Sequence, residues 1–265
     1  MTEVRRMALV THDGKPLAAE LRQRLGEIAS ERGIDIDDGE PDLVVALGGD
    51  GTVLRAAQLA HAANALLLGV NLGTLGYLTE VEAASAGEAI SSILDGAFEV
   101  DERMMLACDL TDGDRSGSFV GLNEVLVERA SSRRLVRLEV SVGGESLAAF
   151  NADGVIVATP TGSTAYALSA GGPIVSPRAS CLVLAPVNAH MIFDRPFVLA
   201  ADEVVQISLG GHDQQASLVL DGHEGSEVTS GCLIRVGRHP QPLRLVRLSG
   251  PGFIERLRTK LGLPR

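Results

Sequence analysis

The stretch Leu43–Leu54, which reads LVVALGGDGTVL, decides the fold predicted for this chain. It opens with five apolar residues, two of them β-branched, a run typical of a strand buried on both faces of a parallel sheet. Gly48, Gly49 and Gly51 then allow a tight turn. Thr52 can cap a helix, and the apolar residues after it have helical spacing. The stretch therefore predicts a strand, a glycine turn and a helix.

A turn that joins a buried strand to a helix is a favourable place for a phosphate group. Backbone N–H groups and the positive end of the helix dipole point into it. Asp50 lies in the same turn. An acid beside phosphate is expected to hold a cation, or to orient or deprotonate an attacking hydroxyl group. The alternative is that Asp50 only caps the helix, as Asp often does.

The composition predicts a globular protein with an aliphatic core. Of the 265 residues 45% are hydrophobic but only 3% are aromatic, so Ala, Val, Leu and Ile must supply most of the buried surface. The chain has 23 Lys and Arg against 34 Asp and Glu, a formal net charge of −11. Such a charge disfavours nucleic acid or an anionic membrane surface as a partner, because the overall field repels polyanions.

Cysteine usage and the first residues of the chain indicate a cytoplasmic protein. Cys108, Cys181 and Cys232 are isolated, without CxxC or His spacing, so we expect buried thiols rather than disulfides or a zinc site. The amino terminus lacks the apolar core of a signal peptide, and no run approaches the ~20 apolar residues of a membrane span.

The chain divides by character into an α/β amino-terminal domain and a β-rich carboxy-terminal domain, α+β overall. Residues 1–98 alternate apolar strands with helical stretches, and Asn71–Tyr77 forms a second glycine turn after a strand at 65–70. Two such turns at neighbouring strand ends predict a ligand-binding crevice. Residues 99–236 contain short alternating segments typical of strands. In residues 237–265 the stretch Phe253–Leu261 returns to helical spacing, and this carboxy-terminal segment is expected to pack back on the first domain.

A second candidate site lies in Asn151–Ser169, within the β-rich part. Four hydroxyl side chains occur between Thr159 and Thr164, where a capped turn needs only one. Together with small residues they offer hydrogen-bond donors, acceptors and close approach of the backbone to a ligand.

In combination, these segments resemble the ATP-NAD kinases, which phosphorylate the 2′-hydroxyl of the adenosine ribose of NAD. Gly-Gly-Asp-Gly alone also occurs in phosphofructokinases and in diacylglycerol and sphingosine kinases, so only the combination is specific. The segments that resemble family signatures are Gly48–Thr52, Asn71–Leu78, Asn123–Glu124 and Asp153–Tyr166, and less specifically His190–Pro196 and Asp221–His223.

The resemblance implies an NAD kinase-like two-domain fold with the active site between the domains, ATP and NAD as substrates, and Mg²⁺ or another divalent cation that arrives with the nucleotide. Asp50 would be the catalytic residue, and Asn123 and Glu124 would hold the adenosine part of NAD. Asp153 would reach a ligand bound mainly by a neighbouring subunit, which implies a homodimer or homotetramer. Further nucleotide-binding residues would be Gly48, Gly49, Gly51, Thr52, Asn71, Gly73, Tyr77, Thr161, Thr164, Ala165, Tyr166, Ser169 and His223.

Two positions depart from the family pattern, and other readings stay open. Tyr77 stands where Phe is expected and His223 where Gln is frequent, which leaves the fine substrate preference open but not the reaction. The sequence separately leaves open whether NADH competes with NAD, and whether ATP, another triphosphate or polyphosphate is the phosphoryl donor. A kinase of another hydroxyl group, on a lipid or a sugar, is one alternative, although a lipid kinase should show a basic amphipathic stretch. A non-catalytic dinucleotide sensor is another, but a sensor has no need of Asp50.

Overall fold

A computed structural model describes the chain except residues 1–3, 13, 15, 75, 114, 132–133, 190–194, 212 and 265. The chain forms two compact units: unit 1 comprises Met1–Arg103 and Pro242–Arg265, and unit 2 comprises Met104–Gln241. The elements up to residue 103 are β1 (Arg6–Thr11), α1 (Pro16–Glu31), β2 (Asp35–Ile36), β3 (Leu43–Gly48), α2 (Asp50–Ala62), β4 (Leu66–Asn71), β5 (Val81–Glu82), a 3₁₀ turn (Ala83–Ser85), α3 (Ala86–Leu94) and β6 (Glu99–Arg103).

The elements of unit 2 are almost all strands. They are β7 (Leu106–Asp112), β8 (Arg115–Gly121), β9 (Glu124–Arg129), β10 (Val136–Val142), β11 (Glu145–Ala152), β12 (Gly154–Ala158), a 3₁₀ turn (Gly162–Thr164), α4 (Tyr166–Ser169), β13 (Cys181–Val187), β14 (Phe197–Ala200), β15 (Val205–Leu209), β16 (Gln215–Leu220), β17 (His223–Thr229) and β18 (Leu233–Arg238). The chain then returns to unit 1 with β19 (Leu243–Arg247) and α5 (Phe253–Leu261).

Unit 1 is built on a mostly parallel sheet with the strand order β2-β1-β3-β4-β19-β6, and β5 pairs with β4. Strands β3 and β4 are buried throughout, as their continuous apolar runs predict. They are parallel neighbours, and Gly48 is in register with Asn71. The two glycine turns therefore leave adjacent strands at the same edge of the sheet, which confirms the predicted arrangement.

Unit 2 contains two antiparallel sheets that share one apolar core. Their strand orders are β11-β10-β15-β18-β7-β8 and β14-β13-β12-β9-β16-β17. Side chains from both sheets meet in the core, among them Leu138 and Ile207 from one and Val127 and Val155 from the other. The α/β and β-rich fold classes predicted from the sequence are thus confirmed.

Two local predictions are wrong. Helix α2 begins at Asp50, and the residue at its N-cap position is Gly49. No side chain makes a capping hydrogen bond there, so Thr52 is not the cap. Thr52 instead lies buried in the first helical turn. Among the three free cysteines, Cys108 and Cys232 are buried as expected, but Cys181 is only partly covered. In the described part of the chain no helix is both long and apolar enough to cross a membrane.

Candidate active site

The junction between β3 and α2 is tightly packed around Gly48. A Cβ atom at this residue would lie 2.1 Å from Oγ1 of Thr52, so glycine is required by close approach and not by a positive φ. Gly49 is extended, with φ −97° and ψ −168°, and α2 starts directly after it. The first N–H groups of an α-helix have no partner within the helix, so this end of α2 has the donors that a phosphate group needs.

Asp50 connects the two glycine turns. Its carboxylate accepts a hydrogen bond from the Tyr77 N–H at Oδ2 (2.9 Å) and from the Leu78 N–H at Oδ1 (3.0 Å). The side chain therefore points toward the turn after β4, and the alternative that it caps α2 is wrong. A carboxylate has about four lone-pair directions, so two amide donors leave room for a hydroxyl group or a cation.

The second turn is shaped to receive the Asp50 carboxylate. A Cβ atom at Gly76 would lie 2.1 Å from Oδ1 of Asp50, so only glycine fits there. At the start of the turn, buried Asn71 accepts a hydrogen bond from the Gly73 N–H at 3.1 Å and donates to the Gly73 carbonyl at 3.0 Å. Asn71 thus braces the turn. Burial, and then the charge of Asp50, raises the pKa of the half-buried Tyr77 phenol.

In unit 2 three turns meet around Asn123 and Glu124. Buried Asp221 accepts hydrogen bonds from the N–H groups of Leu122 (2.7 Å), Asn123 (2.7 Å) and Glu124 (3.1 Å). Asp221 itself has φ +51°, a conformation tolerated by Asp. In the sequence, this segment resembles the family only weakly, and Asp221 is not predicted to have a role. The feature that could have indicated its structural role is the Asp-Gly turn after a strand.

The hydroxyl-rich segment forms the third of these turns. The Thr159 N–H donates to the Asn123 carbonyl at 2.8 Å, and the Thr159 hydroxyl donates to the Leu122 carbonyl at 2.6 Å. A Cβ atom at Gly162 would lie 2.1 Å from the Asn123 carbonyl oxygen. Of the predicted residues here, Thr161 is buried, whereas Tyr166 is 41% exposed. Thr164 ends the 3₁₀ turn, Ala165 separates that turn from α4, and Ser169 ends α4.

Glu124 is the most unusual group of this cluster. It is buried, and within the described residues its Oε2 atom has no hydrogen-bond partner. Burial, with a smaller contribution from the Asp221 charge, raises the pKa of its carboxyl group to about 8, although a backbone hydrogen bond from Tyr166 acts against the shift. An unsatisfied buried oxygen is costly, so this group is suited to receive a hydroxyl donor from a ligand.

Of the two remaining predicted residues, Asp153 lies apart from the hydroxyl-rich turn and His223 lies beside the Asp221 turn. Asp153 precedes β12 at the end opposite to Thr159, roughly 20 Å along the strand. Its carboxylate is held by Nε of Arg129 and by Nδ2 of Asn188 (2.8 Å). His223 is exposed at the start of β17, next to the Asp221 turn. Most of the segment His190–Pro196 lies outside the described residues, as does Leu75 in the second glycine turn.

The described part of the chain contains no group of three or more His, Cys, Asp or Glu side chains arranged to hold a metal ion.

Two family models match the chain in succession. A model described as the ATP-NAD kinase N-terminal domain matches residues 28–98, and one described as the ATP-NAD kinase C-terminal domain matches residues 122–248. The matched ranges contain both glycine turns and the three turns of unit 2.

Several NAD kinases and an NADH kinase are similar to this chain. The chain is 37% identical to the NAD kinase of Heliobacterium modesticaldum, over 96% of this chain and 98% of that protein. It is 43% identical to the NAD kinase of Geotalea daltonii, over 84% and 78%. The structure of an NAD kinase from Archaeoglobus fulgidus in complex with ATP has a TM-score of 0.77 at 25% identity, and covers 97% of both chains. Yeast NADH kinase complexed with NADH has a TM-score of 0.87 at 24% identity, over 98% of this chain and 88% of that one, which supports the fold.

Proposed function

The chain belongs to the ATP-NAD kinase family, and we propose that Asp50 directs the transfer of a phosphoryl group from ATP to the 2′-hydroxyl of the adenosine ribose of NAD, giving NADP. The observation that supports this role most directly is the fixed orientation of the Asp50 carboxylate, which two backbone amides hold at the start of α2. Phosphoryl transfer depends mainly on positioning and charge stabilisation, so a fixed carboxylate can orient the attacking hydroxyl group and accept its proton.

The phosphates of ATP are proposed to lie against the turn of Gly48, Gly49, Gly51 and Thr52. The first N–H groups of α2 lie in this turn and can donate hydrogen bonds to phosphate oxygens. A divalent cation, Mg²⁺ for example, would be held by phosphate oxygens, and when bound it would neutralise negative charge on the transferred group. Asp50 fits beside such a cation, because its carboxylate keeps acceptor capacity beyond the two amide bonds.

The adenosine part of NAD is proposed to bind at the turn cluster of unit 2. There the unpartnered Oε2 of Glu124 can accept a hydrogen bond from a ribose hydroxyl group, and Asn123 lies beside it on the same turn. The remaining nucleotide contacts are assigned to Asn71, Gly73, Tyr77, Thr161, Thr164, Ala165, Tyr166, Ser169 and His223. We further propose that the protein is a cytoplasmic homo-oligomer in which Asp153 contacts a ligand bound mainly by a neighbouring subunit.

The assay is formation of NADP from NAD and ATP, with and without Mg²⁺, for the wild-type chain and for Asp50→Asn. We expect turnover that requires the cation and falls at least ~100-fold in the variant, because general-base loss is typically worth ~10²- to 10⁴-fold. Asparagine keeps one acceptor oxygen but turns an NH₂ group toward an amide donor, so the variant should also lose about 1–3 kcal/mol of stability. Retained NAD binding is the control for folding, and near wild-type turnover would refute the role of Asp50.

A further inference from the structure

Arg256, on α5, is a buried cation that contacts the second glycine turn. Only 1% of it is exposed, and its Nη2 pairs with Oε2 of Glu80 at 3.2 Å. Its Nη1 donates to the carbonyl oxygens of Gly76 (3.1 Å) and Thr79. A buried charge needs a partner, and Glu80 provides one. The two hydrogen bonds to carbonyl oxygens also fix the orientation of the guanidinium group, which they hold against the turn that binds Asp50.

The Gly76 carbonyl and the Tyr77 N–H belong to a single peptide group. A trans peptide group is planar, so its C=O and N–H point in opposite directions. Arg256 donates to the oxygen end, and the hydrogen end donates to the Asp50 carboxylate. A cation and an anion at opposite ends polarise the group and strengthen both hydrogen bonds. Rotation of the peptide plane would break both bonds at once.

We propose that Arg256 is a positioning residue for phosphoryl transfer, because it fixes the plane of the Gly76–Tyr77 peptide group and so the orientation of the Asp50 carboxylate. The inference rests on the proposed role of Asp50. The same helix touches the turn a second time, since Nζ of Lys260 lies 5.2 Å from the centre of the Tyr77 ring. Helix α5 therefore contacts this turn at the Gly76 carbonyl and at the Tyr77 ring.

The chain contains a matched control for Arg256. Arg247 also pairs with Glu80, with Nη1 2.5 Å from Oε2, and it lies 3.8 Å from Asp101. Its hydrogen bonds go to Glu80 and to the Pro251 carbonyl, neither of which is part of the second glycine turn. Lysine at either position keeps the charge near Glu80, but at position 256 a single ammonium group cannot reproduce the planar fork that joins Glu80 to the turn.

The kinetic test measures kcat and the KM for NAD in Arg256→Lys and Arg247→Lys, each alone and combined with Asp50→Asn. We expect Arg256→Lys to lower kcat at least ~10-fold with the KM for NAD changed less than ~3-fold, the pattern of a lost transition-state contribution. In the Asp50→Asn background it should change kcat by less than ~2-fold, because residues that act as a unit are not additive. Arg247→Lys should stay within ~2-fold in both backgrounds.

A second measurement does not depend on activity. Hydrogen exchange of the Tyr77 and Leu78 amides, which bind Asp50, should become at least ~10-fold faster in Arg256→Lys and stay unchanged in Arg247→Lys. The inference would be overturned if Arg256→Lys lowered kcat equally with Asp50 present and in the Asp50→Asn background. It would also be overturned if hydrogen exchange of the two amides were unchanged in Arg256→Lys. An Arg256→Lys chain that fails to fold while Arg247→Lys folds would overturn it as well, since Arg256 would then serve folding. If the wild-type chain made no NADP, the proposed function would fail, and hydrogen exchange would still decide on Arg256.

Discussion

The two carboxylates proposed for function have opposite environments. Asp50 is half-buried and accepts two amide hydrogen bonds. Glu124 is buried with an unsatisfied oxygen, and burial raises its pKa to about 8. In the free protein at pH 7 Glu124 is therefore mainly protonated.

Binding of NAD should make Glu124 release its proton. Hydroxyl donors favour the charged form of a carboxyl group, so a ribose bound to Glu124 lowers its pKa. At pH 7 we expect roughly 0.5–1 proton released per NAD bound, measured by calorimetry in buffers of different ionisation enthalpy. Glu124→Gln is the control and should release none. Equal proton release by both proteins would show that Glu124 does not meet the ligand.

The raised pKa of Glu124 also affects stability. The folded value, about 8, lies above the ordinary value of 4.5. The folded state therefore holds a proton that the unfolded state has lost between these values. The contribution of protonated Glu124 to stability is complete below pH 4.5 and is lost as the pH rises through 8. The buried, unpartnered carboxyl group of Glu124 thus lowers the stability of the protein without ligand. The same unpartnered oxygen is what allows Glu124 to accept a hydrogen bond from a hydroxyl group of the ligand.

At the scale of elements, the β3–α2 junction depends on the absence of a side chain at Gly48. Gly48→Ala would place Cβ 2.1 Å from Oγ1 and 2.6 Å from Cβ of buried Thr52, so we expect a loss of about 1–3 kcal/mol from overpacking. Gly26→Ala, in the interior of α1 with nothing within 4 Å, should instead gain about 0.5–1 kcal/mol. Urea denaturation of both variants measures the difference. A Gly48→Ala protein as stable as the wild type would contradict the close approach.

The elements that the sequence predicts well are those defined by local pattern. The apolar run and glycines of Leu43–Leu54 are sufficient for a buried strand, a turn and a helix, and all three are present. The supports of the candidate site could not be predicted in this way. Asp221 reaches amides 97 to 99 residues earlier, and Arg256 reaches the Gly76 carbonyl across 180 residues. Contacts this distant leave no periodic signal in a single sequence.

At the scale of the whole molecule, the prediction concerns the number of chains in the assembly. Asp153 lies at the end of β12 opposite to the hydroxyl-rich turn, and the resemblance assigns it to a ligand of a neighbouring subunit. We therefore expect sedimentation at micromolar concentration to give at least twice the 27.7 kDa of one chain. Activity should fall on dilution below the concentration at which subunits separate. A monomer with full activity at nanomolar concentration would contradict this prediction.

The position of β19 affects how the newly made chain folds. This strand lies between β4 and β6 in the sheet, although it is far from both in the sequence. The side chain of Arg244 donates a hydrogen bond to the carbonyl oxygen of Asn64, which precedes it by 180 residues. At about 5–20 residues per second, the ribosome needs roughly ten seconds or more to make the intervening segment. During that time the edge of β4 at Leu66 and Leu67 is unpaired, which is a template for aggregation, and β6 has no neighbour in the sheet. A nascent chain interrupted before Leu243 therefore cannot complete its first sheet and presents an exposed edge to chaperones and proteases.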